Sequence, residues 1–113
     1  MITTSAPYST FDAVSQISTT AESVVIFDIT GTKMYINSNA TKTLYQYTLS
    51  RAWDVTSASY ATKTLDHSAQ TTGGSYNDYG LAWKPDGKIL YVQYMGNKSV
   101  YQYTLSTAWD IST

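Results

Sequence analysis

The sequence predicts an all-β fold in which one four-stranded antiparallel unit occurs twice. Three observations point there. The composition is led by aromatic and hydroxyl side chains, with 11 Tyr, three Trp and only two Pro in 113 residues, a mixture that favours strands over helices. The chain matches itself at a shift of 56 residues, Tyr45 falling on Tyr101. Within each matching stretch, short strand-like runs alternate with turn-forming residues, as in an antiparallel meander.

Hydrophobic residues make up 42% of the chain, enough apolar material for a packed core. Charged residues are only 13%, the net charge is -1, and the seven Lys and Arg are scattered. No basic face is therefore expected to neutralise phosphates, and nucleic acid is not an expected partner. The absence of cysteine removes disulfides, thiolate metal sites and cysteine nucleophiles. Residues 1–7 carry neither a basic segment nor an apolar run, and nowhere do about 18 apolar residues follow one another. Neither a secretion signal nor a membrane span is expected.

The repeat is specific. Residues 27–57 align with 83–113 without a gap, and 12 of the 31 positions are identical. The longest block, Tyr45-Gln46-Tyr47-Thr48-Leu49-Ser50, then Ala52-Trp53-Asp54, recurs as Tyr101-Gln102-Tyr103-Thr104-Leu105-Ser106 and Ala108-Trp109-Asp110. A second match, at a shift of 52, lays Thr4-Ser5-Ala6-Pro7-Tyr8 on Thr56-Ser57-Ala58-Ser59-Tyr60. The chain thus reads as a single two-unit module over 1–113, with repeat 1 at about 4–55 and repeat 2 at about 56–113.

In the second copy, strands are expected at 80–83, 89–94 and 99–105, and 60–65 represents the fourth, outer strand. Pro85-Asp86-Gly87-Lys88 is a tight hairpin turn in which Pro presets φ and Gly87 accepts a positive one. Ile29-Thr30-Gly31-Thr32 is its weaker counterpart. At period two, Tyr45, Tyr47 and Leu49 share one strand face and Leu44, Gln46 and Thr48 the other; Tyr101 and Tyr103 repeat the aromatic pair. Four antiparallel strands per unit of about 50 residues, apolar on both faces, describe a β-propeller blade that stacks between two neighbours.

The stretch Trp83-Lys84-Pro85-Asp86-Gly87-Lys88-Ile89-Leu90-Tyr91-Val92 resembles the hairpin of YVTN-type propellers. The Tyr-Gln-Tyr-Thr-Leu-Ser-x-Ala-Trp-Asp block resembles repeats of phage-associated and marine metagenomic propeller proteins. That resemblance implies a propeller fold and a virion-associated setting. The Trp-Asp pair invites comparison with WD repeats, but their Gly-His element is missing and the period here is longer than theirs of about 40–45 residues.

Two blades cannot close a ring, and propellers have typically four to eight. The expected partner is therefore the chain itself in a cyclic homo-oligomer. A trimer of six blades is favoured by resemblance to small two-blade lectins that trimerise, with a dimer or tetramer as alternatives. Residues 4–12 are expected to act as the outer strand of a neighbouring chain's last blade, because joining residue 113 to residue 1 of another copy continues the period almost unbroken. The competing reading is an excerpt of a longer propeller.

No catalytic set, metal site or cofactor is expected. His67, the only histidine, is read as a solvated residue near the end of the outer strand, and the acids lack the alternating spacing of a calcium loop. Trp53-Asp54 and Trp109-Asp110 are read as structural, the Trp filling the gap between blades and the Asp capping a turn. With Tyr45, Tyr47, Tyr101, Tyr103, Gly31 and Gly87 they form the repeat framework. Loops that differ between the copies are better candidates for binding. On one edge these gather Tyr76, Asn77, Asp78, Tyr79, Tyr94 and Asn97 as a polar and aromatic recognition surface for a glycan or a protein. The expected function is a non-catalytic, self-assembling binding or adhesion scaffold. The alternatives are a purely structural module without a ligand and, third, a lactonase-like enzyme.

Overall fold

The computed structural model describes residue 14 and residues 22–72 and 79–113, with Glu22 and Ser23 as backbone only. Seven strands run in order: β1 Glu22–Phe27, β2 Lys33–Ser38, β3 Thr43–Leu49, β4 Ala58–Asp66, β5 Tyr79–Trp83, β6 Ile89–Tyr94 and β7 Ser99–Thr104. They form two antiparallel meanders, a four-stranded sheet ordered β1-β2-β3-β4 and a three-stranded sheet ordered β5-β6-β7. The chain is all-β among the described residues, with short 3-10 turns at Val55–Ser57 and Met95–Asn97. β5, β6 and β7 lie where the 56-residue shift of β1, β2 and β3 puts them. The segment 4–12, expected as an outer strand, lies outside the described residues.

Both sheets are folded by the same turn device. Gly31 and Gly87 take φ of 75° and 74°, and the hairpins close through Asp28 N–H to Lys33 O at 3.0 Å and Lys84 N–H to Ile89 O at 2.9 Å. The second turn has Pro85 to preset the chain. The first lacks a proline and uses a carboxylate instead: Asp28 Oδ1 accepts the N–H groups of Thr32 and Lys33, each at 3.0 Å, and Oδ2 accepts the Thr30 hydroxyl at 2.7 Å.

The sheets pack face to face. The first contributes Ile26, Tyr35, Leu44 and Leu65, and the second Leu81, Trp83, Leu90, Val92, Tyr103 and Leu105, with Ile111 beside them. Burying each large apolar side chain contributes about 1.5–3 kcal/mol, so this seam is the main stabilising feature. A smaller cluster of Met34, Ile36 and Leu49 lies on the opposite face of the first sheet. The β3–β4 pairing carries a bulge between Tyr47↔Tyr60 and Gln46↔Lys63, where Ala61 and Thr62 lack Cα partners. Two extra residues preserve the in–out alternation. Tyr60 stays on the outer face against Tyr45 and Tyr47, and Lys63 points into the seam, where its ammonium meets Asp110 at 2.7 Å.

Candidate functional site

The Trp-Asp turns wrap the hairpin glycines. Trp53 N–H donates to Gly31 O and Trp109 N–H to Gly87 O, both at 2.8 Å, and each indole lies on its glycine so closely that a Cβ there would meet ring carbons at 2.3 Å and 2.2 Å. Both tryptophans hold φ of 65°, a backbone region that bulky residues rarely adopt and that survives here because the surroundings over-determine it. Each indole also meets the aromatic residue that ends β1 or β5, Trp53 against Phe27 at 5.5 Å and Trp109 against Trp83 at 5.0 Å.

The adjoining aspartates cap the turn that follows. Asp54 Oδ1 accepts the Thr56 N–H and hydroxyl, and Asp110 Oδ1 those of Ser112. Their second oxygens differ. Asp54 Oδ2 accepts from Arg51 of its own turn, whereas Asp110 Oδ2 accepts from Lys63 across the seam. Hydrogen bonds from Thr56 and Arg51 hold the Asp54 carboxyl below the usual carboxylate range. Burial pushes Asp110 up, but Lys63 and Ser112 outweigh it and the net shift is again downward.

The connection from β4 to β5 shares an edge with the β2–β3 and β6–β7 loops. Lys42 Nζ donates to Thr71 O at 2.7 Å, and Asn97 Nδ2 donates to Gln70 O at 3.0 Å and to the Tyr101 hydroxyl. The Tyr103 hydroxyl donates to Gln70 Oε1 at 2.7 Å. Of the expected recognition residues, Tyr76, Asn77 and Asp78 lie outside the described residues. Tyr94 is only 1% exposed and stacks on half-buried Tyr79 at 5.0 Å, so its ring supports the edge from beneath rather than being displayed. Asn97 is half-buried and ties two loops together, while its Oδ1 has no hydrogen-bond partner among the described residues.

His67 corrects an expectation. It is fully buried, not solvated, because the chain turns inward at the end of β4, with His67 N–H bonded to Lys42 O at 3.1 Å. Its Nε2 meets Asn37 Oδ1, its Nδ1 meets the Thr71 hydroxyl at 3.0 Å, and its ring packs on Tyr79 at 5.3 Å. The neutral Nε2–H tautomer suits this pocket: Nε2–H donates to Asn37 Oδ1, and the single proton of the Thr71 hydroxyl has two acceptors at 3.0 Å, Nδ1 and His67 O. Nothing in the local sequence signals such burial, since Asn37 comes from β2, thirty positions before the turn that holds His67 and Thr71. Among the described residues, no three His, Asp or Glu side chains gather as ligands for a metal ion.

Two further polar contacts lock the sheet seam. The Tyr35 hydroxyl donates to Trp109 O at 2.6 Å, and buried Ile111 N–H donates to Gln46 Oε1 at 3.1 Å. The Tyr35 ring meets Trp83 at 4.9 Å, and burial raises the Tyr35 phenol far above its ordinary pKa, so it keeps the proton it donates to Trp109 O. Gln46 was visible in the sequence as part of the repeated block, but the block alone does not show that its amide crosses to the other unit.

The outer faces repeat these residue types. On the second sheet, Tyr91 and Gln102 stand opposite one another, and a groove of about 190 Å³ is lined by Gly80, Leu81, Ala82, Tyr91, Gln93 and Val100. Val100 is 65% exposed, and on the outer side of the first sheet Trp53 is 60% and Val25 49% exposed. Comparison with protein-family models, with curated proteins and with solved structures finds no match to this chain.

Proposed function

We propose that the chain is a non-catalytic stacking module that self-associates into a closed β-propeller ring. Each sheet serves as one blade, and the ring is a rigid scaffold that binds along its loop edge. The observation that carries this reading is the packing of two copies of one sheet unit on each other, while Val25, Trp53 and Val100 on the outer sides remain in water. Apolar sheet faces left in water drive association. Since two blades do not close, three chains giving six blades is the proposed ring, with cyclic symmetry.

The edge formed by Gln70, Thr72 and Asn97 carries an exposed Gln70 side-chain amide and Thr72 hydroxyl, the groups it would offer to a ligand, while Asn97 is held beneath by its bonds to Gln70 O and Thr72 O. Polar side chains of this kind suit a carbohydrate or a protein surface. Native mass spectrometry and light scattering test the assembly. The expected mass is three times the 12.5 kDa of one chain, and a stable monomer at micromolar concentration would overturn the proposal.

A further inference from the structure

Within the chain, beside the Lys63–Asp110 pair, four groups make the hydrogen bonds between the first sheet and the turn that follows the second. Tyr35 and Gln46 lie on one side, and the backbone of Trp109 and Ile111 on the other. The 56-residue repeat supplies each group again: Tyr91 and Gln102 correspond to Tyr35 and Gln46, and Trp53 and Val55 to Trp109 and Ile111. Among the described residues, the Tyr91 hydroxyl, the Gln102 amide oxygen, Trp53 O and Val55 N–H all lack a protein hydrogen-bond partner. They stand on opposite outer sides of one chain, so they cannot satisfy one another within it.

We infer that the Tyr91–Gln102 face of the second sheet docks the Trp53–Val55 turn of a second copy of this chain, head to tail, reproducing the internal seam. Tyr91 OH donates to Trp53 O of that copy, Gln102 Oε1 accepts its Val55 N–H, and the Tyr91 ring lies on its Phe27 as Tyr35 lies on Trp83. The groove fits this occupant. Gly80, Ala82, Tyr91, Gln93 and Val100 are the equivalents of Val24, Ile26, Tyr35, Asn37 and Leu44, and Ile26, Tyr35 and Leu44 of that set pack in the seam with the second sheet. Such a contact is heterologous, with different surfaces on the two copies, and it propagates until the rotation closes a ring.

The inference rests on the self-association proposed above, and the test separates the two. The chain has no cysteine, so single cysteines report cleanly. Gln102→Cys and Val55→Cys variants are mixed as folded full-length chains and treated with a short bis-maleimide. The double variant Gln46→Cys/Ile111→Cys calibrates reach, since it should link within one chain. The expected result is that the Gln102→Cys chain links to the Val55→Cys chain at least tenfold more than either links to itself. In the unmodified background, Tyr91→Phe should weaken association by roughly fivefold, the weight of one hydrogen bond. An oligomer of correct mass in which Gln102→Cys links to itself, or in which the mixed pair fails to link while the control does, overturns the head-to-tail seam and leaves self-association standing. A monomer by mass overturns both.

Discussion

The Trp109 indole lies flat against Gly87, with its ring carbons 2.2–2.3 Å from where a Cβ would stand. The same relation joins Trp53 to Gly31. A glycine is required there for two reasons that add: its φ is positive, and its missing side chain is the indole's seat.

The two reasons can be separated by substitution. Gly87→Ala is expected to cost about 1–2 kcal/mol for the left-handed backbone and a further ~1–3 kcal/mol for displacing the indole. Trp109→Ala alone loses the ring's packing, about 3–5 kcal/mol where it is buried. In the double variant the clash is gone, so the two costs should sum to more than the measured loss, with a coupling of at least about 1 kcal/mol. Urea melts of the four proteins check this, and strict additivity would show that the indole is not held by the glycine.

Asp28 stands in for the proline that the first hairpin lacks. Burial pushes its carboxyl up, but hydrogen bonds from Thr30, Lys33 and Thr32 together with the Lys33 charge outweigh it, and the group ends below the usual carboxylate range. Asp28→Ala leaves the N–H groups of Thr32 and Lys33 without that acceptor, and the expected loss is about 1–3 kcal/mol. Asp86 accepts one backbone N–H, from Lys88, and pairs with the Lys84 ammonium at 3.1 Å, in an exposed turn already set by Pro85. Asp86→Ala should therefore shift the urea midpoint far less than Asp28→Ala, and equal shifts would refute this division of labour.

The strand plan was legible because a repeated sequence is read twice. The 99–105 run could be checked against 43–49, and the Gly87 turn announced the weaker Gly31 turn. The all-β class and the antiparallel meander followed. Long-range polar contacts were not legible, because each depends on residues brought together only by sheet packing. Gln46 reaches Ile111 over 65 positions and Lys63 reaches Asp110 over 47. The burial of Tyr94 is hard to read for a related reason. Its place beside a loop suggested display, whereas inward alternation along β6, buried at Leu90, Val92 and Tyr94, carries it under the edge.

The neutral imidazole at His67 gives stability a pH dependence of definite sign. Burial is the largest influence on it and holds its pKa below the ordinary value; Asp66 acts upward and Lys42 downward. In the unfolded chain a histidine titrates near about 6.5. As pH falls through that range the unfolded chain takes up a proton that the folded one does not, so stability falls with pH by at most about 1.4 kcal/mol per unit. The aspartates act in a lower window. Asp28, Asp54, Asp66, Asp86 and Asp110 are all held below their ordinary values, so their contribution is present above about pH 4 and is lost on further acidification. Thermal melts should therefore show a plateau above about pH 7.5, a first decline near 6 and a second below 4. His67→Gln keeps an amide between Asn37 and Thr71 but cannot titrate, so it should abolish the first decline and leave the second. A wild-type melting temperature that does not change between pH 7.5 and 5 would show that His67 carries its proton in the fold, and the tautomer assigned to its pocket would then be wrong.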